Sequence, residues 1–210
     1  MTTQQVGRKT GPKPKFHAAD VIAAAIELGI DQFTLSGVAT KLGIATSAVY
    51  RLFDGRDALV DACLAYAARS MFITDCPVAS WQEILRDWGK RTWEVCEQFP
   101  GLDITLFKFP AAHTHIDAQI RTMVELLMNQ GFSKDQALFA IDFVGDSVVA
   151  SHIGVTAMRA VDDSGKRGLD KAKDRVGADP TFVPDESWIS NSPAYEKVEF
   201  IIRGLEQELS

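Results

Sequence analysis

Cysteine is scarce in this 210-residue chain. Cys63, Cys76 and Cys96 are odd in number, widely spaced and form no Cys-x-x-Cys pair. That excludes a disulfide framework or a zinc ribbon and fits buried thiols in a reducing, cytoplasmic compartment. No run of about 18 apolar residues appears, so no membrane span and no membrane partner are expected. The N-terminus lacks the apolar segment of a secretory signal. No Gly-x-Ser-x-Gly elbow, phosphate loop or His-Glu-x-x-His is found, and no converging catalytic set, so neither an enzyme nor a cofactor is expected. Strand signals and internal repeats are missing too, which leaves an all-α fold. Positive charge is also short: the formal net charge is −6, which argues against a generally basic nucleic-acid binder.

What is present is ordinary in amount and uneven in distribution. A hydrophobic content of 46% is enough for a sizeable core. Residues 1–53 carry Arg8, Lys9, Lys13, Lys15, Lys41 and Arg51 against Asp20, Glu27 and Asp31, a balance of +3, which leaves −9 for the remainder. A weakly positive head on an acidic body suits a protein that offers one end to DNA. Residues 1–15 mix Gly7, Gly11, Pro12 and Pro14 with the basic residues and read as a flexible basic arm.

Apolar periodicity predicts a first helix over Phe16–Leu28, stopped by Gly29. After the Asp54-Gly55 turn come helices over about 56–74, 80–98, 102–109 and 114–129. Ser133 caps a long helix over 134–161 that is apolar almost all round and therefore buried on several sides. Residues 162–192 read as a long polar loop. The last helix has Ser192 as its cap and Pro193 at its first position. Its Val198, Ile202, Leu205 and Leu209 make a narrow 4-3-4 seam suited to a partner helix, and hence to a dimer interface.

The densest information lies in residues 38–53. Val38, Ala39 and Leu42 form one apolar face, Val49 and Phe53 another, and Gly43 between them tolerates the positive φ that ends a helix. Helix, tight glycine turn, helix is a DNA-reading unit whose second helix enters the major groove. That helix is expected over Thr46–Phe53, with Thr46 as a possible cap. Thr46, Ser47, Ala48, Tyr50 and Arg51 would face outward, small, polar or cationic as phosphates and base edges require.

Leu35 through Leu59 resembles the TetR family of one-component transcriptional repressors. The resemblance rests on Val38-Ala39-x-x-Leu42-Gly43-Ile44, then Val49-Tyr50-x-x-Phe53, then Arg56-x-x-Leu59. Leu52 stands where members often carry His, and Ala45 where the cap is often Ser. Asn129–Ser133 and Ala137–Ile141 are weakly similar to the tetracycline-repressor branch. The resemblance implies an all-α homodimer: an N-terminal three-helix helix-turn-helix domain over 16–60, and a helical effector-binding and dimerisation domain over 61–210. A small effector in the second domain would shift the two reading heads and release double-stranded operator DNA.

Within that expectation, Lys13, Lys15, Thr34, Thr46, Ser47, Ala48, Tyr50, Arg51 and Arg56 are the DNA-binding candidates. Thr34 is also a plausible helix cap, and Arg56 is a cation where the helix dipole prefers an anion. The effector candidates are Trp88, Trp93, Phe107, His113, Phe139, Asp142, Phe143, Asp146 and His152. They supply mostly apolar surface with a few orienting polar groups, as ligand sites do. Asp142 and Asp146, four apart, repel unless something pairs them, a structural partner being the favoured one. His113-x-His115 is too little for a metal site without a fixed third ligand, so no metal is expected. The alternative is a constitutive architectural DNA-binding protein with no effector.

Overall fold

The computed structural model describes residues 16–71 and 80–209. Ten α-helices follow in order: α1 Ala18–Leu28, α2 Leu35–Leu42, α3 Thr46–Tyr50, α4 Arg56–Ala68, α5 Trp81–Gln98, α6 Leu102–Lys108, α7 Asp117–Met128, α8 Lys134–Arg159, α9 Gly168–Asp174 and α10 Ser192–Glu208. The fold is all-α among the described residues; one isolated bridge joins Val161 and Arg167.

Helices α2, α5 and α8 begin where a side chain satisfies an open backbone group. Ser80 and Ser133 each accept the N–H three residues on, from Glu83 and Gln136, whose side chains reach back in capping boxes. Gly29, Gly101 and Gly131 turn in positive φ at helix boundaries. Helix α10 starts one residue earlier than expected, with Asn191 as its cap and Pro193 inside the first turn.

Helix α8 is the axis of the body, packed by α5, α6, α7 and α10. By length and composition it could cross a membrane, but here its apolar residues Ala137, Ala140, Val144, Val148 and Val155 are core. Helices α5, α8 and α10 approach closely at Gly89, where an added Cβ would sit 3.2 Å from Val198 and 3.4 Å from Val144. Cys63 and Cys96 are buried free thiols, each pushed up to about 12 by desolvation; Cys76 lies outside the described residues.

Two expectations are corrected. Val198, Ile202 and Leu205 are buried within the single chain, and Leu209 packs against the same core. Their seam is filled by α5 and α8 and is not free for a partner subunit. Residues 162–192 are not an open loop either. Gly168 N–H donates to Ala160 O at 2.8 Å, α9 follows, and Leu169 is fully buried. The Asp162 carboxylate organises the turn before it. It accepts from the backbone N–H of Ser164 and Lys166 at 2.9 and 3.0 Å and pairs with Lys171. With one large apolar residue, a seven-residue helix leaves no periodic trace in the sequence.

Candidate functional site: a helix-turn-helix head and a body cavity

Helices α1 to α3 and the start of α4 close a small core of Val21, Ala25, Phe33, Val38, Val49 and Leu59. Gly43 adopts φ 65° and ψ 32°, and its N–H and that of Ile44 bond back to Thr40 and Ala39. This is the Schellman closure that stops α2 and redirects the chain into α3. Nothing lies within 4 Å of a Cβ placed at Gly43, so glycine is required there by its left-handed backbone alone.

Helix α3 ends at Tyr50, and the chain continues through a turn to Phe53. Ala45 stands in the cap position with no side-chain bond, so Thr46 is the first helical residue and not the cap. Tyr50 is 54% exposed, Ser47 and Arg51 are exposed and Thr46 half-exposed. Arg51 has no ion-pair partner among the described residues. Ala48 is buried, which corrects its placement on the outward face: in so short a helix its Cβ turns under, beside Val49. Thr34 caps α2 by accepting from Gly37 N–H at 3.0 Å, and its side chain stays exposed. Lys13 and Lys15 lie outside the described residues.

Arg56 has a structural task that its sequence position conceals. Its guanidinium donates to the carbonyls of Phe33, Ile30 and Asp31 at 3.1, 3.1 and 2.7 Å and lies 4.8 Å over the Phe33 ring. It ties α4 to the loop after α1, which explains a cation at a helix start without any phosphate.

The body holds a cavity of about 810 Å³, within the range of sites for drug-sized ligands. Helices α4, α5, α6, α7 and α8 and the 109–117 segment wall it. Of the effector candidates, Trp88, Phe107, His113, Phe139, Asp142 and Asp146 line it. The Trp88 ring is fixed by its Nε1–H donating to Ile141 O at 2.9 Å.

Trp93, Phe143 and His152 do not line it. Phe143 points outward, 47% exposed. Trp93 and His152 stack edge to face at 4.8 Å in a separate buried cluster, where His152 Nδ1 meets Asp103 Oδ2 at 2.7 Å. Burial alone would raise the Asp103 carboxyl. The His152 hydrogen bond, the Ile104 N–H and the nearby imidazole outweigh it and hold the group below its usual range.

Sequence reasoning missed Thr92, a buried hydroxyl in the cavity wall, Leu64 and Ala67 from the far end of α4, and Met71 just beyond it. The place of the last three in a helix expected over about 56–74 does not say what they face. The expected structural partner for Asp142 and Asp146 is not found among the described residues. No group of three His, Cys, Asp or Glu is placed to hold a metal among the described residues.

No protein-family model and no curated protein matches the sequence. Solved structures do. A TetR variant from Acinetobacter baumannii AYE, in complex with minocycline, is similar over 93% of this chain and 99% of its own, with a TM-score of 0.64 and 19% identity. The chain has the TetR fold. A protein from Streptomyces coelicolor A3(2), described as a possible TetR family transcriptional regulator, is similar over 91% of this chain and 99% of its own, with a TM-score of 0.56 and 17% identity. At such identities the likeness is one of fold: a helix-turn-helix head and a helical body.

The TetR fold here joins head to body at two places. Helix α4 runs unbroken across the domain boundary expected near residue 60, from Leu59 in the head core to Leu64, Ala67 and Ala68 in the cavity wall. Second, Ile30 N–H donates to Pro100 O at 2.8 Å, two residues before α6, whose Leu102 and Leu106 line the cavity. At this second joint Gly101 has φ 78°, and an added Cβ would lie 1.9 Å from Asp31 Oδ1 and 2.9 Å from Asp31 N.

Gly101→Ala should therefore cost more than the roughly 1–3 kcal/mol of backbone strain alone. Gly131 is the control, since it too has positive φ but open space around its Cβ. Urea denaturation of both variants checks this, and equal losses would remove the joint's steric importance.

Proposed function

We propose that this chain is a dimeric, ligand-responsive transcriptional regulator of the TetR type, acting as a cytoplasmic repressor. The observation that carries the reading is the exposed α3 ridge, in which Gly43 directs Ser47, Tyr50 and the unpaired Arg51 outward from a rigid three-helix head. Thr46 and the exposed Thr34 flank the ridge and are kept as contacts; Ala48 and Arg56 are not.

Two such heads on a dimer would read major grooves about 34 Å apart on a near-palindromic site. The body cavity is the proposed effector site. A ligand that repositions α4 or α6 acts on both joints to the head, so a ligand preferring one cavity shape shifts the head population. A constitutive architectural binder has no use for such a cavity, which disfavours that second reading.

The subunit interface is proposed on the outward faces of α8 and α10. Phe143 and Phe200 are exposed there, Phe200 at 72%, and the same two helices carry Gly154 and Gly204, around which no atom lies within 4 Å of an added Cβ. Large exposed rings on adjoining helices mark an association face.

Titration of DNA upstream of the gene at fixed salt tests the DNA reading. Tyr50→Ala and Arg51→Ala should each cost about 1–3 kcal/mol where the side chain reads a base, and the double variant should lose discrimination against unrelated DNA. Unchanged affinity in the double variant would sink the assignment.

A further inference from the structure

The cavity wall carries two carboxylates that no described residue neutralises. Among the described residues its ionisable groups are Asp117, Asp142, Asp146, His113 and His115, with no Lys or Arg. Asp117 pairs with Arg121 at 2.7 Å and His115 with Asp61 at 2.9 Å. Asp142 and Asp146 have neither an ion pair nor a hydrogen-bond partner among the described residues. They stand one helical turn apart on α8, a spacing at which like charges destabilise the helix. Burial, and then the charge of Asp142, push the Asp146 carboxyl above its usual value. Independently, Thr92 lines the same cavity at 4% exposure, and its Oγ1 has no hydrogen-bond partner among the described residues. A buried hydroxyl is seldom left unpaired in a protein that has no use for it.

We propose that the cavity takes an organic cation: an ammonium- or phosphonium-type charge set against Asp142 and Asp146, on an apolar or aromatic body laid along Trp88, Phe109 and Ile120, next to the buried Thr92. This rests on reading the cavity as the effector site and adds the charge of the effector to it. The physical case is complementarity. The apolar wall provides affinity for any greasy molecule of suitable size, but an anion meets two carboxylates and no counter-charge. Both aspartates are exposed in the free chain; a neutral body would take water from them without a counter-charge, whereas a cation relieves their mutual repulsion.

The test uses the full-length protein without DNA, read by quenching of tryptophan fluorescence, since Trp88 lies in the wall. Tetraphenylphosphonium and tetraphenylborate are nearly identical in size and shape and opposite in charge; triphenylphosphine oxide is a neutral relative. The cation should bind about tenfold or more tighter than either of the others. Asp142→Asn with Asp146→Asn should weaken the cation by about tenfold or more and leave the neutral compound within about twofold, which also shows that the variant's cavity is intact. Equal binding of all three probes, or preference for the borate, overturns the cation inference while keeping the cavity as a ligand site. Binding of none of them overturns the inference and counts against the effector reading as well. A double variant that keeps cation selectivity but sediments with an altered subunit state would assign the aspartates to the dimer face and overturn the inference.

Discussion

Phe143→Glu together with Phe200→Glu should convert the protein into a folded monomer that no longer holds a palindromic operator. Both rings are exposed on the single chain, so neither substitution removes core packing, and surface changes of this kind usually fall within about 0.5 kcal/mol of neutral for the monomer fold. If α8 and α10 form the subunit interface, each dimer would bring four new carboxylates into an apolar contact, a cost of several kcal/mol for every one left unpaired. The DNA consequence is larger still. Two linked heads gain roughly 10²–10⁴ in avidity over one, and a monomer forfeits it.

Ile202→Glu, two residues away, should behave in the opposite manner. Ile202 is 1% exposed inside the α5–α8–α10 core, so the variant should be globally unfolded and not monomeric and folded, a loss of more than about 4 kcal/mol. Sedimentation velocity and thermal melting of the two variants separate the cases. A stable dimer in the Phe143/Phe200 variant would move the interface elsewhere.

This pair of residues also shows how far the sequence could be read. Val198, Ile202, Leu205 and Leu209 are spaced as a seam between two helices, and they are one. Spacing cannot tell whether the second helix belongs to the same chain, and here α5 and α8 occupy the seam. Helix positions were legible because they depend on neighbours in sequence: Gly43 had to turn, Ser133 had to cap, and the Val38–Phe53 motif fixed the head. The cavity was half legible, since Trp88 and Asp146 lie on faces that periodicity identifies as inward or unusual. What stayed hidden depends on residues far apart in the chain. Arg56 is taken up by carbonyls more than 20 positions earlier, and His152 is drawn away from the cavity by an aspartate 49 positions back.

That aspartate carries the other large effect. Asp103→Ala should cost about 3–5 kcal/mol, the usual penalty for stripping one partner from a buried ion-paired or hydrogen-bonded couple. Asp103 and His152 are both buried. The carboxylate accepts from His152 Nδ1 at 2.7 Å through one oxygen and from Ile104 N–H at 2.8 Å through the other. His152 Nε2 is already buried without a hydrogen-bond partner among the described residues, so alanine would leave the ring with the Trp93 face, the Thr156 hydroxyl and the Glu97 carboxylate 3.9 Å from Nε2, too far for a hydrogen bond.

At about 2–4 °C per kcal/mol for a chain of this size, the melting temperature should fall by roughly 6–20 °C. Asp103→Asn should be milder. Its carbonyl oxygen can still accept from Ile104, and its amide can donate to an imidazole whose proton has moved to the other nitrogen.

The pH dependence follows from the depressed Asp103 carboxyl. A group held below its unfolded pKa stabilises the fold at pH values above that unfolded value, ordinarily 3.8, and the contribution fades as pH falls through the lowered folded value. Native protein should therefore lose this increment in the acid range below about pH 4, while Asp103→Asn, with no carboxyl to titrate there, should lack that component. The pair also pins α6, a wall of the cavity and the lead to Pro100, onto α8. Loosening it should weaken the transmission of a ligand's presence to the head before the protein unfolds. An Asp103→Ala melting temperature within about 2 °C of native, with an unchanged acid profile, would show that the cluster neither stabilises the body nor anchors α6.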